Sequence, residues 1–175
     1  MIKDEFIELI EQSEIISIFS HVSADGDAVG SSMAIKLMLD NLGKKTHLFL
    51  EEPISENYYF TNIDKVANKT FADRYDLAIV LDCPNTKRLG IYEREVNKSN
   101  KIINIDHHPD NANYGTLNII NSSACSASEK VYKLCKDLNL KIDKYIATCL
   151  YSGISTDTGR FLNNNTTCTS LIFAG

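Results

Sequence analysis

The chain has 175 residues, of which 43% are hydrophobic, and this is enough for one core that buries about 70% of the surface of the unfolded chain. We therefore expect a single domain. The 18 lysines and arginines are outnumbered by 23 aspartates and glutamates, and the formal charge of −5 disfavours a protein that holds long duplex DNA by neutralising its phosphates.

The ends and the cysteines of the chain bear on its location. No segment approaches the run of about 18 apolar residues that a membrane span requires, and the N-terminal "MIKDEFIELI" is acidic and amphipathic, unlike a signal peptide. We expect a cytoplasmic protein without a membrane partner.

The five cysteines include no CxxC pair, and their odd number argues against a disulfide framework or a zinc knuckle. All five should be packed as small apolar side chains.

Five short, continuously apolar segments predict strands that are covered on both faces. In chain order they are residues 15–19, 46–50, 77–81, 102–105 and 117–120. Helical spacing of apolar residues appears at 35–42, 131–138 and 146–154, and the second of these follows a capping box of Ser126 with Glu129. This alternation predicts an α/β fold with a mostly parallel five-stranded sheet and helices on both faces.

Acidic and histidine side chains follow three of the predicted strands, in the segments "SHVSADGD", "LDCPN" and "IDHHP". Because the carboxyl ends of parallel strands meet at one edge of a sheet, we expect these side chains to lie close together. The aspartate of "STDTGRF" follows a predicted helix and can fold back to the same edge. The full set is His21, Asp25, Asp27, Asp82, Asp106, His107, His108 and Asp157. The remaining histidine, His47, lies inside a predicted strand and should be an ordinary packed or surface side chain.

Each of these aspartates taken alone is also typical of a turn or a helix cap. Together they create a charge problem, because two carboxylates about 4 Å apart repel by roughly 4 kcal/mol at an effective dielectric near 20. Protonation, separation or bound cations could each relieve it. The histidines favour cations, since a cluster of carboxylates and imidazoles suits Mn²⁺, Fe²⁺, Co²⁺ or Zn²⁺ better than Mg²⁺ or Ca²⁺.

The loop "DGDAVGSS" invites comparison with a phosphate-binding loop, because it places glycines between a strand and a helix. The GxxxxGK[ST] spacing and its lysine are absent, however, and Asp25 and Asp27 would repel an anion. With metal ions held by those carboxylates the site would instead attract a phosphate.

These segments resemble the four motifs of the DHH phosphoesterases, which include RecJ-type exonucleases, family II inorganic pyrophosphatases, exopolyphosphatases and nanoRNase/pAp phosphatases. "HVSADGDAVGSS" is similar to the first motif, HxxPDGDAxGS, with Ala24 in place of proline. "LDCPN", "NIDHHPD" and "TDTGRF" are similar to the other three, in the same order over essentially the whole chain. The segments "DGDAVGS", "SACSASEKVYKL" and "YSGISTDTGRF" look most like the nanoRNase/pAp phosphatase branch.

The resemblance implies two Mn²⁺ ions, with Asp82 bridging them. The implied ligands of the first ion are His21, Asp25 and Asp82, and those of the second are Asp27, Asp82, His107 and Asp157. A water activated between the ions would attack phosphorus.

Roles outside the metal ligands follow from the same resemblance. His108 would meet the substrate phosphate and act in catalysis together with the bridging Asp82, while Asp106 would orient an imidazole from behind the ligands. Arg88 and Arg160 are candidate phosphate contacts.

The implied function is that of a metal-dependent phosphoesterase, a hydrolase of short oligonucleotides, linear dinucleotides or 3′-phosphoadenosine 5′-phosphate (pAp). Two alternatives stay open: an inorganic pyrophosphatase or exopolyphosphatase with the same metal core, and a non-catalytic nucleotide-binding module. Residues 1–175 would be the DHH catalytic domain. Relatives in this branch carry a C-terminal substrate-binding domain of the DHHA1 type that nothing here matches, so we expect an open site with low turnover. A homodimer is a further expectation.

Overall fold

Five parallel strands form the centre of the fold. In the computed structural model, which describes residues 2–175, they are β1 (Ile15–Phe19), β2 (Lys45–Phe49), β3 (Tyr75–Leu81), β4 (Ser99–Asp106) and β5 (Leu117–Ile120). Their order in the sheet is β2-β1-β3-β4-β5, and every neighbouring pair is parallel. The predicted parallel five-stranded sheet is therefore confirmed.

Two strands begin two or more residues earlier than their apolar patterns predict, β3 at Tyr75 and β4 at Ser99, while β2 begins and ends one residue earlier, at Lys45 and Phe49. The reason is visible in β3, where Asp76 interrupts the apolar run but accepts hydrogen bonds from the backbone of Glu14 and Ile15, each at 2.9 Å. A polar side chain that is satisfied by the neighbouring strand does not end a strand, and an apolar pattern cannot reveal it.

Seven helices connect and cover the strands within the described residues. They are α1 (Ile2–Glu11), α2 (Gly26–Asn41), α3 (Ile63–Val66), α4 (Glu93–Val96), α5 (Ala127–Asp137), α6 (Lys144–Asp157) and α7 (Cys168–Ala174), with 3-10 helices at Glu56–Thr61 and Thr86–Tyr92. The three predicted helices correspond to α2, α5 and α6. Ser126 caps α5 as predicted, but the Glu129 carboxylate accepts from the backbone of Cys125 at 2.9 Å.

The two faces of the sheet are covered unequally. The larger core lies between the sheet and the long helices α1, α2, α5 and α6. The opposite face carries a smaller core with Phe19, Phe49 and Tyr75, covered by the 3-10 helix Thr86–Tyr92 and α4. Helices on both faces are confirmed, and the thinner layer is made of short helical turns.

The expectation for the cysteines is wrong for one of them. Four are buried, but Cys168 is exposed at the first position of α7. In the part of the chain that the structure describes, no helix has the length and apolar character needed to cross a bilayer.

Candidate metal centre

The predicted site residues meet at the carboxyl edge of the sheet, next to the point where the strand order changes direction between β1 and β3. Open parallel sheets bind their ligands at such a switch point, because the loops after the two strands leave in opposite directions and open a crevice. Three groups of side chains there place one potential ligand atom per residue within 4.8 Å of one another. The groups are His21, Asp25 and Asp82; Asp27, His107 and Asp157; and Asp82, Asp106, His107 and His108.

The first group lies between the loop after β1 and the end of β3. His21 Nε2 lies 3.4 Å from Asp82 Oδ2 and 3.9 Å from Asp25 Oδ1. The Nδ1–H of His21 donates to the carbonyl of Val22 at 2.7 Å, so Nε2, which faces the carboxylates, is the ring nitrogen that could bind a metal ion. Asp25 is also the N-cap of α2, accepting from two backbone amides at 3.0 Å, so the cap role and the site position coexist in one side chain.

The second group joins the ends of three elements. His107 Nε2 lies 3.4 Å from Asp82 Oδ1 and 3.6 Å from Asp157 Oδ2, so Asp82 lies between His21 of the first group and His107 of the second. Asp27 completes the group from the first turn of α2. Its carboxylate accepts hydrogen bonds from the backbone N–H groups of Ala127 at 2.6 Å and Ser128 at 2.9 Å. These N–H groups lie at the N-terminus of α5, where they have no partner within the helix.

The close packing of α2 against α6 sets the distance between Asp27 and Asp157. A Cβ on Gly30 would meet the carbonyl of Cys149, and a Cβ on Gly153 would lie 2.7 Å from Asp27 Oδ1. The two helices run in opposite directions, α2 starting and α6 ending at the site. Glycine at these two contacts therefore brings a carboxylate from each helix to the same place.

The spacing of the ligand atoms fits shared cations better than direct hydrogen bonds. Distances of 3.4 to 3.9 Å separate His21 and His107 from the facing carboxylates, longer than the hydrogen-bond range of about 2.7–3.2 Å. Donor atoms that each lie about 2.1 Å from one ion are about 3.0 Å apart in octahedral and about 3.4 Å apart in tetrahedral geometry. Among the described residues, Asp82 Oδ1 and Asp157 Oδ2 are buried without a hydrogen-bond partner, which is costly unless a ligand satisfies them. The cluster is therefore a candidate site for divalent metal ions.

The crowded charges shift the pKa values of the cluster in both directions. Burial raises the pKa of Asp157 to about 6 and, together with the charge of Asp82, raises the pKa of Asp27. Burial works against ionisation of Asp82 as well, but His107 and His21 beside it bring its pKa below the usual value. The pKa of His107 rises to about 9 against the effect of burial, because Asp82 faces it. Without a cation, protons balance the charges of these carboxylates, and a metal ion would displace them.

The carboxylate of Asp106 forms its imidazole hydrogen bond with His108. Its Oδ1 accepts from His108 Nδ1 at 2.7 Å, and this carboxylate raises the pKa of His108. With Nδ1 used in this way, the other ring nitrogen of the half-buried His108 is left for a ligand. His108 Nδ1 lies 3.6 Å from Asp82 Oδ1, beside the metal candidates.

The two arginines that we considered as phosphate contacts do not join the cluster. Arg88 lies in the 3-10 helix Thr86–Tyr92, where its carbonyl accepts from the backbone of Val22 at 2.7 Å. Arg160 is exposed in the turn after α6, with a left-handed φ of 59°. Among the described residues, neither guanidinium forms an ion pair with the carboxylates of the centre, and their role stays a prediction.

Three asparagines that support the centre were not found by sequence reasoning. Asn165 donates to the carbonyls of Asp157 and Cys125, both at 3.1 Å, and so ties the end of α6 to the residue before the cap of α5. Asn104 and Asn111 hold the segment around Asp106. Only Asn104 gave a signal in the sequence, as an amide inside the apolar strand "IINI".

Comparison with known proteins agrees with this geometry. Residues 15–154 match the family described as "DHH family, N-terminal domain". The chain is 33% identical over 177 residues to the bifunctional oligoribonuclease and PAP phosphatase NrnA of Bacillus subtilis, an alignment that covers 99% of this chain and 55% of that protein. It superposes with a TM-score of 0.92 and 29% identity on the crystal structure of an exopolyphosphatase-related protein from Bacteroides fragilis, covering 98% of this chain and 54% of that one. The chain thus spans about half the length of these relatives, and it belongs to the DHH family.

Proposed function

We propose that the chain is the catalytic domain of a metal-dependent phosphoesterase that hydrolyses short oligoribonucleotides, linear dinucleotides or pAp. The observation that carries the proposal is the position of Asp82, whose two carboxylate oxygens each face a different histidine at 3.4 Å and one of which is buried without a partner. A carboxylate that would bridge two cations must direct one oxygen at each of them, and the two oxygens of Asp82 face different groups of candidate ligands. The Bacillus subtilis relative, which is named as an oligoribonuclease and PAP phosphatase, supports the choice of short oligoribonucleotides and pAp.

We further propose that the cofactors are two Mn²⁺ ions. The proposed ligands of the first ion are His21, Asp25 and Asp82, and those of the second are Asp27, Asp82, His107 and Asp157. The mixture of imidazole and carboxylate donors supports Mn²⁺ over Mg²⁺, which prefers oxygen ligands and several waters.

The residues of the chain have separate roles in the proposed reaction. Divalent ions held there would supply an activated water and offset the charge that develops on the phosphoryl oxygens. His108, protonated and held from behind by Asp106, donates a hydrogen bond to a phosphoryl or leaving oxygen at the exposed side of the cluster. Arg88 and Arg160 contact substrate phosphates in this proposal, Arg160 from the turn after α6.

Residues 1–175 are, in this proposal, the DHH domain, and a C-terminal DHHA1-type domain that would complete the substrate site lies outside this chain. The coverage of about half of each relative supports this division. The expected homodimer and the cytoplasmic location stay predictions.

The test measures metal binding by this chain and products from the intact protein, that is, the chain together with its proposed C-terminal domain. Titration calorimetry of the metal-free chain with Mn²⁺ should give two bound ions per chain. The intact protein should release mononucleotide from the dinucleotide pApA and phosphate from pAp when Mn²⁺ is added, and a chelator should stop both reactions. A protein that binds no Mn²⁺ at millimolar concentration would overturn the proposal.

A second candidate is an exopolyphosphatase or inorganic pyrophosphatase, and the name of the superposed Bacteroides fragilis protein favours it. It shares the metal core, so only the products separate the two candidates. Release of phosphate from pyrophosphate or polyphosphate, with pApA left intact, would favour this reading. Nucleotide binding without any Mn²⁺-dependent turnover would instead indicate a non-catalytic module.

A further inference from the structure

Asn104 is a fully buried amide in the middle of the sheet. Its Nδ2 donates to two carbonyls of the neighbouring strand and its extension, those of Val80 and Cys83, each at 3.2 Å. These two carbonyls lie on either side of Asp82. An amide between apolar neighbours in a parallel strand loses hydration on burial, so its position is tolerated only because these bonds are made.

Asp82 needs such support because its backbone is left-handed, with a φ of 52°. That region is unfavourable for a residue with a Cβ, and such a conformation persists only where the surroundings hold it. The N–H of Asp82 donates to the carbonyl of Ile105 at 3.0 Å, and Tyr114 donates its hydroxyl to the carbonyl of Cys83 at 3.0 Å. Together with the Asn104 amide, contacts from β4 and the following loop fix the peptide groups around Asp82.

The same amide reaches the second half of the site through Asn111. Asn111 Nδ2 donates to Asn104 Oδ1 at 2.8 Å and to Asp106 Oδ2 at 2.5 Å. The other oxygen of Asp106 accepts from His108 at 2.7 Å. A continuous chain of hydrogen bonds therefore runs from the carbonyls beside Asp82 to the imidazole of His108.

We propose that Asn104 and Asn111 are positioning residues that hold the Asp82 carboxylate and the His108 imidazole at a fixed separation. The inference rests on the proposed function, since it assigns Asp82 to the metal ions and His108 to the substrate. Asn104 acts on Asp82 through the carbonyls of Val80 and Cys83. Asn111 acts on His108 through Asp106, without touching either proposed metal ligand group.

The roles of Asn104 and Asn111 can be distinguished by measuring metal affinity and turnover independently. Asn104→Leu should weaken Mn²⁺ binding by about 10- to 100-fold, as is typical when a group behind a metal ligand is lost, and should lower kcat at saturating Mn²⁺. Asn111→Ala should leave Mn²⁺ affinity unchanged while kcat of the intact protein falls about tenfold with little change in KM. A crystal structure of metal-free Asn104→Leu should show that Asp82 has left its left-handed conformation.

Asn118 provides the matched control. It is the register partner of Asn104 on β5, and its amide donates to the carbonyls of Asn113 and Gly115 and not to β3. Asn118→Leu should change Mn²⁺ affinity and kcat less than Asn104→Leu does, because Asn118 reaches the segment around Asp82 only through the loop that carries Tyr114.

The outcomes separate the inference from the proposed function. A wild type that neither binds Mn²⁺ nor hydrolyses a phosphoester would refute the function. A wild type that does both, beside folded Asn104→Leu and Asn111→Ala proteins with unchanged Mn²⁺ affinity and kcat, would refute the inference alone. If Asn104→Leu does not fold, Asn111→Ala still tests the inference, because Asn111 is only half-buried. An unchanged kcat in Asn111→Ala would show that the hydrogen bonds through Asn111 do not position His108.

Discussion

Two aspartates lie at opposite ends of strand β3, Asp76 within its first two residues and Asp82 directly after its last, and they have opposite surroundings. Near the amino end, Asp76 accepts two backbone N–H groups at 2.9 Å, and these bonds lower its pKa. At the carboxyl end, Asp82 is almost completely buried, faces two histidines at 3.4 Å and has one oxygen without a hydrogen-bond partner among the described residues. Backbone N–H groups of the protein satisfy the carboxylate of Asp76, whereas the carboxylate of Asp82 has an oxygen that only a bound ligand or cation could satisfy.

The difference between the two ends follows from the geometry of a parallel sheet. At the amino end, the loops that precede the strands place backbone donors against side chains, as Glu14 and Ile15 do for Asp76. At the carboxyl end, the loops diverge at the switch between β1 and β3, and side chains gather around the crevice. Unsatisfied buried carboxylates are tolerable there only if a ligand or extra protons balance them.

The largest difference in hydrolysis should appear when Asp82 and Asp76 are replaced by alanine in separate variants. Asp82→Ala removes a proposed ligand of both ions, so we expect Mn²⁺-dependent hydrolysis by the intact protein to fall by about a thousandfold or more. Asp76→Ala should leave hydrolysis unchanged and lower the free energy of unfolding by about 1 kcal/mol through its two lost hydrogen bonds. Initial rates and urea denaturation measure the two quantities, and equal losses of activity in both variants would erase the contrast between the ends of β3.

The response of stability to pH should reverse when Mn²⁺ is added. In the metal-free chain, the pKa of Asp157 is raised to about 6 from an ordinary value of 3.8, so its contribution to stability is complete below about pH 4 and is lost as the pH rises through 6. Mn²⁺ binding requires the deprotonated carboxylate, so its stabilisation should grow over the same interval. At a hundred times the dissociation constant it amounts to about 2.7 kcal/mol, or several degrees in Tm.

Thermal scans between pH 4 and pH 8, with Mn²⁺ and with a chelator, test this reversal. The Asp82→Ala variant is the control, because the loss of a ligand shared by both ions should make the Mn²⁺-dependent shift of Tm much smaller at every pH. Mn²⁺ stabilisation that is as large at pH 4.5 as at pH 8 would contradict the role of Asp157.

A change in the spacing between α2 and α6 should lower Mn²⁺ affinity less than the loss of Asp82 does. Gly153→Ala places a methyl group against Ser128 and Asp27, and such overpacking costs about 1–3 kcal/mol of stability. Because Asp27 is displaced directly, Mn²⁺ affinity should fall as well. Gly30→Ala is the comparison variant, since its methyl group meets the backbone of α6 and so changes the helix spacing without touching the carboxylate. Calorimetric Mn²⁺ titration of both variants should show the greater loss of affinity for Gly153→Ala, and equal losses would mean that helix spacing, and not the contact with Asp27, controls Mn²⁺ affinity.

The apolar strands and the edge at which the site lies could be predicted from the sequence, because both depend on short-range patterns and on a general rule of parallel sheets. The contact between Asp27 and the N-terminus of α5 could not, since it joins residues about a hundred positions apart and involves backbone donors that have no sequence signature. The partner of Asp106 was equally undetermined, because the imidazoles of His107 and His108 are adjacent in sequence and only the turn after β4 decides which one it contacts.

The smallest effect should come from His47, the histidine that lies away from the carboxyl edge. It is buried in β2 with its ring edge against Tyr75, 5.6 Å between centroids, and burial lowers its pKa, so it is a neutral packed side chain. Its Nδ1 has no hydrogen-bond partner among the described residues, and an apolar replacement therefore removes an unsatisfied polar atom. His47→Leu should leave Mn²⁺ affinity unchanged and alter the free energy of unfolding by less than about 1 kcal/mol, whereas His21→Leu should weaken Mn²⁺ binding strongly. Calorimetry and urea denaturation of this histidine pair compare a packed imidazole with a proposed ligand, and a similar loss of Mn²⁺ affinity in both would mean that the metal site is not confined to the carboxyl edge.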